Sequence, residues 1–291
     1  VIATEQPNQG IWQGFGLRIR SAFALPGAVQ ANDSDREPDI EIVQGAPPPW
    51  DETRVSGPYR SASADLFEFT MPTVARFACL DRRRILVDPA PDVDPRQLSE
   101  MLIATVLPAL LWARCEITLH ASAFVLDGGT QGVAVAGASG SGKSTALARA
   151  LAMGAGQVAD DAICLRMQDD TVTVSGLAGG YFERMRGGEG RIFRPTPGQQ
   201  RRSACLLGAL LVLTPSGGPA RRLSGMEAIQ ALLVHRHRPR IASLLGIEAA
   251  LLPTMASIAR SMPIIAVPRA SIESTGWRDA AIPVKEAGGG R

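Results

Sequence analysis

The sequence predicts an α/β protein in two parts, a smaller β-rich N-terminal domain followed by a larger α/β domain. Three observations carry this expectation. Residues 1–93 alternate apolar and polar side chains in short runs, separated by polar and Pro-rich breaks. From Asp94 onward, helical spacing alternates with short apolar strands. An apolar strand, Val133–Ala136, also runs into a Gly- and Ser-rich stretch at 137–144 and then into Ala- and Leu-rich helical sequence. At 291 residues and 30.7 kDa the chain is long enough to bury a core in each part. The expected divisions are residues 1–93, residues 94–286 and a disordered tail at 287–291.

The elements follow in order. Gly16–Arg20, Asp39–Val43, Leu66–Phe69 and Ile85–Val87 are strand candidates, with exposed loops at 30–38 and 46–58 between them. Asp94 suits an N-cap and Pro95 a first helical position, so a helix is expected over 95–113. Leu98, Met101, Leu102, Thr105, Val106, Ala109 and Leu110 would form its inner face, and Pro108 should kink it or end its regular part. Strands 116–126 and 132–136 follow, joined by the turn Asp127-Gly128-Gly129-Thr130 as a hairpin. Pairing Leu126 with Gly132 would put His120 across from Ala138. A helix is expected from about 142 to 153 and a buried strand over Leu206–Leu213. Ser224 and Glu227 have capping-box spacing ahead of a helix at 226–235. A helix over 248–260 and a strand over Pro263–Val267 complete the order, with no internal repeat.

Composition removes several function classes. Lys+Arg number 30 against 28 Asp+Glu, so the chain lacks the basic field of a nucleic-acid binder. The four cysteines include no CxxC pair, which argues against zinc and for buried thiols in a reducing cytoplasm. The most apolar stretch, 101–113, is too short to span a bilayer, and no basic-then-apolar leader opens the sequence. Val1 itself reads as a position inside a longer gene product. The expectation is a soluble cytoplasmic protein with neither nucleic acid nor membrane as partner.

Only two of the cations are lysines, Lys143 and Lys285. Lys143 stands in Gly137-Ala138-Ser139-Gly140-Ser141-Gly142-Lys143-Ser144, an unbroken GxxxxGK[ST] stretch followed by Thr145. Glycines let backbone N–H groups turn inward around phosphate oxygens at a helix N-terminus. The ammonium can follow the β- and γ-phosphates as a point charge, and the Ser144 hydroxyl can reach Mg²⁺. The motif and its strand-before, helix-after context predict nucleotide binding, with ATP and Mg²⁺ as the cofactors. Farther on, Asp160 and Asp161 adjoin at a strand edge. Two adjacent carboxylates repel and point to opposite sides, so one could hold Mg²⁺ while the other faces a hydroxyl; a solvated turn is the bland alternative.

The order Leu119-His120-Ala121-Ser122, hairpin, glycine-rich loop and Val158-Ala159-Asp160-Asp161 resembles the catalytic domain of the HPr kinase/phosphorylase group. The resemblance covers roughly residues 115–165 well and extends loosely to about 270. It implies a distorted P-loop α/β domain akin to phosphoenolpyruvate carboxykinase, and transfer of the γ-phosphoryl of ATP to a serine hydroxyl. It implies Asp160 as general base, Asp161 and Ser144 as the Mg²⁺ side, Lys143 on the phosphates, and His120 beside Asp160 tuning its charge. Members of that group often form symmetric oligomers, so a homo-oligomer is an implied expectation.

Glu183-Arg184-Met185-Arg186-Gly187-Gly188-Glu189-Gly190 is similar to the group's Glu-x-Arg-Gly-x-Gly stretch, with the glutamate one position too far from Arg186. That departure weakens the case for phosphorylase activity and for an HPr target. The four arginines within 181–194 read either as a cationic lid over phosphates or as an exposed loop. Phe15–Ser21 and Pro38–Ile42 are similar to diverged HPr-kinase-like proteins found with peptide biosynthesis genes, some of which phosphorylate a lasso peptide precursor. This resemblance makes a peptide serine the expected acceptor, with a carrier protein or an acceptor-free nucleotide switch as alternatives. Val234-His235-Arg236-His237-Arg238-Pro239-Arg240 reads as a basic strip or a solvated helix end. A metal there is not expected, because no cysteine or carboxylate adjoins it in sequence.

Overall fold

A computed structural model describes residues 10–31, 36–49, 54–63, 65–184, 191–215 and 218–269. The tail at 287–291, Lys285 and residues 185–190 of the arginine-rich segment lie outside the described residues. The chain divides into two compact units, 1–116 with 238–251 and 117–237 with 252–291.

In the first unit, β1 (Gly10–Gly14), β2 (Leu17–Ser21), β3 (Val29–Gln30), β4 (Ile40–Gln44), β5 (Arg54–Ser56), β6 (Tyr59–Ser63), β7 (Leu66–Met71), β8 (Ala75–Leu80) and β9 (Arg84–Pro89) form one sheet. Its order is β3-β1-β2-β4-β9-β8-β7-β6-β5. The pairs β2–β4 and β4–β9 are parallel and the rest antiparallel. Alternation fixes the register: Leu17, Ile19, Ile40, Ile42, Ile85 and Val87 are buried while their strand neighbours are partly exposed.

The helical stretch that follows belongs to this unit and not to the second, so the division falls after Glu116 instead of at residue 93. It consists of α1 (Pro95–Met101), a π-turn at Leu102–Val106 and α2 (Leu107–Ala113). Asp94 accepts a hydrogen bond from the backbone N–H of Arg96, as an N-cap should. Pro108 does not end the helix, which runs on to Ala113. The π-turn precedes it, so proline falls in the first turn of α2.

The second unit begins with β10 (Ile117–Leu119) and β11 (Ala121–Val125), where the sequence suggested one strand. The break at His120 arises because the halves serve different partners: β10 pairs with β14 (Ile163–Gln168), and β11 pairs with β12 (Gly132–Ala136) and β13 (Gly156–Ala159). The predicted hairpin forms, but in a register one residue away, with Val125 opposite Gly132. Leu126 belongs to the turn, its carbonyl accepting the Gly129 N–H at 2.8 Å. His120 falls at the break between β10 and β11, just beyond the last pair of that ladder, Ala121 with Ala136.

Between β12 and β13 lies α3 (Lys143–Ala152), close to its expected span. After β14 come β15 (Thr171–Gly176), the hairpin β16 (Gly180–Arg184) and β17 (Arg191–Pro195), then β18 (Ala204–Thr214). The main sheet runs β10-β14-β15-β18-β12-β11-β13, with β20 (Ile264–Pro268) parallel to β18 and β19 (Arg221–Leu223) against β20. β18 is long because its first residues pair with β15 and its later ones lie parallel to β12. Leu147, Ala150 and Leu151 of α3 pack with Phe124, Val133, Val135, Leu211 and Ile265 in an apolar core beneath the loop.

The remaining helices are α4 (Gly225–Val234), α5 (Pro239–Leu245) and α6 (Glu248–Ser261). Ser224 takes the N-cap position of α4 without a side-chain cap, so the expected capping box does not form. Its partner is otherwise engaged: the Glu227 carboxylate accepts two 2.9 Å bonds from Arg221. No described helix is long and apolar enough to cross a membrane.

Candidate nucleotide and phosphoryl-transfer site

The loop 137–142 links β12 to α3, and its glycines answer to two constraints. Gly142 caps the helix at φ 107°, a left-handed conformation that favours glycine. A Cβ on Gly137 would lie 2.6 Å from Ser141 Oγ and 3.0 Å from Leu213 Cβ, leaving no room for a side chain. The buried Lys143 ammonium donates to the carbonyl oxygens of Gly137 at 2.9 Å and Ala138 at 3.0 Å. These bonds tie the helix start back across its own loop.

Ser139, Gly140, Gly142, Lys143, Ser144 and Thr145 line a pocket of about 440 Å³ together with His120, Asp161, Tyr181, Phe182, Glu183 and Arg269. Gly137 and Ala138 act from behind it through their carbonyls, and the Ser141 N–H donates to Ala138 at 3.1 Å. Arg269 reaches the loop from the end of β20, its Nη1 donating to the Gly140 carbonyl at 3.4 Å.

The aspartate pair follows β13, and the two carboxylates diverge. Asp160 turns inward, where its Oδ1 accepts from Ser122 Oγ at 2.7 Å and Ser144 Oγ at 3.1 Å, and its Oδ2 from the Phe182 N–H at 3.2 Å. Burial raises the Asp160 carboxyl above the ordinary carboxylate range, with the Asp161 charge adding to it; those three hydrogen bonds pull the other way. Asp161 sits in the left-handed region, φ 69°, which asparagine and aspartate tolerate better than most residues. It faces the pocket, and Asp160 is not among the lining residues.

His120 meets Asp161, not Asp160. Its Nδ1 hydrogen-bonds the Asp161 carbonyl oxygen at 2.9 Å and lies 3.5 Å from Asp161 Oδ1. Its backbone N–H donates to the His235 carbonyl at 2.8 Å, fixing the residue at the strand break. Burial lowers the imidazole pKa, and the Lys143 charge lowers it further against the opposing pull of Asp161. The nearby His235 imidazole is likewise lowered, first by burial and then by Lys143.

The buried His237 completes the group, its Nε2 3.8 Å from Asp161 Oδ2. Its backbone N–H donates to the Thr118 carbonyl at 2.9 Å, which stitches this segment to β10. No carboxylate adjoins 234–240 in sequence, but folding brings Asp161 to His237. Ser122 has only a local signal, a hydroxyl amid the apolar residues of β11, which marks a buried polar contact. Tyr181, Phe182 and Arg269 carried no local signal.

No family model matches the chain, and no curated protein matches it in sequence. Among solved structures, it is similar to the Hpr(Ser) kinase/phosphatase from Coxiella burnetii, at 19% identity over 58% of this chain and 98% of that one, with a TM-score of 0.36.

Proposed function

We propose that the chain is an ATP- and Mg²⁺-dependent phosphotransferase that moves the γ-phosphoryl of ATP to a serine hydroxyl of a peptide. One observation carries the reading: Ser144, whose hydroxyl donates to the buried Asp160, lines the pocket of the lysine-anchored loop together with the adjacent Asp161. The geometry favours exchanging the roles expected of the two aspartates. Ser144 Oγ and Asp160 Oδ1 are hard oxygen donors already 3.1 Å apart, a pair that suits Mg²⁺. That ion, when bound, neutralises charge on the phosphates.

The protein's own part is positioning. Loop N–H groups and Lys143 hold the phosphates, and Arg269, at the loop edge, adds a second cation. Asp161 accepts the serine proton as the serine oxygen bonds to the γ-phosphorus and the bond to the β–γ bridging oxygen breaks, releasing ADP. His120 and His237 hold Asp161 from either side. The peptide acceptor, a lasso peptide precursor in its narrowest form, rests on the sequence resemblance of Phe15–Ser21 and Pro38–Ile42.

Mass spectrometry after incubation with ATP and Mg²⁺ tests the reading. Serine-bearing precursor peptides should gain phosphate, and an HPr-type carrier should not. Phosphate on the carrier alone would replace the acceptor, and ATP binding with no transfer to either would leave a nucleotide switch.

A further inference from the structure

We propose that His120, Asp161 and His237 form a binding site for a divalent transition-metal ion, separate from the oxygen-donor position at Ser144 and Asp160. One donor atom from each of the three residues lies within 4.8 Å of the other two. Asp161 stands between the rings, with Oδ1 3.5 Å from His120 Nδ1 and Oδ2 3.8 Å from His237 Nε2. The two rings are tilted at 49° with centroids 5.9 Å apart.

Metal–ligand bonds of about 2.0–2.1 Å at tetrahedral angles put donor atoms about 3.4 Å apart. Each ring is therefore within a few tenths of an ångström of that edge from one carboxylate oxygen, Oδ1 for His120 and Oδ2 for His237. Rotation of the carboxylate and the rings brings one oxygen and both nitrogens, already within 4.8 Å of one another, onto a single ion. The backbone fixes all three positions. His120 is held by the His235 carbonyl, His237 by the Thr118 carbonyl, and Asp161 by its left-handed turn.

Donor chemistry sets the class of ion. Two imidazoles and one carboxylate suit zinc, cobalt or iron, whereas magnesium prefers oxygen donors and keeps its waters. Three protein ligands beside an open pocket leave a coordination position facing that pocket. Occupation exchanges the His120 Nδ1–H bond to the Asp161 carbonyl for a metal bond, because a ligating nitrogen must be bare. Asp161 cannot give the same lone pairs to an ion and to a serine proton. If the kinase reading holds, this ion inhibits transfer; the site itself does not depend on that reading.

The test is visible-absorption titration of the nucleotide-free full chain with Co²⁺, in a Cys115→Ser background that removes the exposed thiol. One equivalent should bind with the intense ligand-field bands of a low-coordinate site, be displaced by Zn²⁺ and resist millimolar Mg²⁺. His120→Asn, Asp161→Asn and His237→Gln should each weaken binding more than about 100-fold, beyond the usual cost of losing an outer-shell partner. Ser144→Ala should leave it unchanged. Circular dichroism checks each fold, and if His237→Gln does not fold, the half-buried His120 decides the matter. Absence of binding, or Co²⁺ binding that survives His120→Asn, overturns the site, as does its loss in Ser144→Ala. No outcome depends on kinase activity, so failure here and failure of the kinase reading are separable.

Discussion

The hydroxyl of Ser144 donates to Oδ1 of Asp160 at 3.1 Å, while Asp161, the next residue, turns to His120. Two carboxylates joined by one peptide bond thus occupy different electrostatic surroundings, one enclosed by hydroxyls and an N–H, the other facing a pocket. Their substitutions should separate. Asp161→Asn is expected to lower kcat about 10²–10⁴-fold, the usual worth of a positioned base, with little change in nucleotide affinity. Asp160→Asn is expected to raise the Mg²⁺ concentration needed for half-maximal rate. Steady-state kinetics across a Mg²⁺ series distinguishes them, and an identical response of both variants would remove the division of labour.

Lys143 does two jobs whose loss has one readout. Its ammonium shapes the loop through the Gly137 and Ala138 carbonyls and, on the proposed function, places charge at the phosphates. Lys143→Ala should weaken binding of a non-hydrolysable ATP analogue by about 10–100-fold, the worth of a charged hydrogen bond. Lys143→Arg should not restore it, because the planar guanidinium is larger and the position is buried. Calorimetric titration measures both, and full affinity in Lys143→Arg would contradict the argument.

What could be read from the sequence was what is written locally. The glycine-rich loop is contiguous, so its strand, turn and helix were legible without knowledge of the fold. Alternation likewise exposed the strands around Ile19, Ile42 and Phe67. The hairpin was legible but its register was not, since Leu126 looks as apolar as a strand residue and only the Gly129 N–H bond marks it as turn. The break at His120 depends on which strands pair with each half, a non-local fact. Asp161 and His237 lie far apart in sequence, so no spacing could have joined them. Glu227 could not be seen to prefer Arg221 over the N-cap.

Cys205 gives a pH signature in the second unit. Burial pushes its thiol up to about 11, against a small opposing effect of the Gly132 N–H. The folded chain therefore holds this proton to higher pH than the unfolded chain, whose thiol titrates near 9.0. The associated stability is complete below about pH 9 and is lost as pH rises toward about 11. Cys205→Ser should flatten the decline in melting temperature over that window. At pH 8 the native thiol should alkylate about 100-fold more slowly than a free thiol, since its thiolate fraction is about 10⁻³ against about 0.1. Equal alkylation rates would show that the thiol is not shielded.

In the first sheet, Glu68 on β7 is a buried carboxylate held by three donors. Thr70 Oγ1 reaches it at 2.8 Å, and Arg76 at 3.4 Å through Nε and 3.1 Å through Nη2. Arg76→Met keeps the stem and removes the charge, leaving Glu68 without its cation. Since Arg76 is itself half-exposed, the expected cost is about 2 kcal/mol, below that of breaking a fully buried pair. Adding Glu68→Gln should recover most of it. Chemical denaturation of the single and double variants provides the cycle, and additive losses would mean that the two side chains do not act as a pair.

Pro108 carries a cost that Arg238 offsets. Proline has no N–H to give the carbonyl four residues earlier, so Ala104 loses its helical donor just where the π-turn sits. The Arg238 guanidinium stands in its place, with Nε and Nη2 each 3.5 Å from the Ala104 oxygen and Nη2 donating to Thr105 Oγ1 at 3.0 Å. Arg238→Met should therefore destabilise the chain by about 1–2 kcal/mol, the cost of leaving such acceptors without a donor. The effect should shrink in a Pro108→Ala background, where a backbone N–H returns at position 108 and the helix can satisfy Ala104 itself. A coupling energy near zero in that double-mutant cycle would sever the link between the two residues. A positive one would explain why proline is tolerated inside a buried helix.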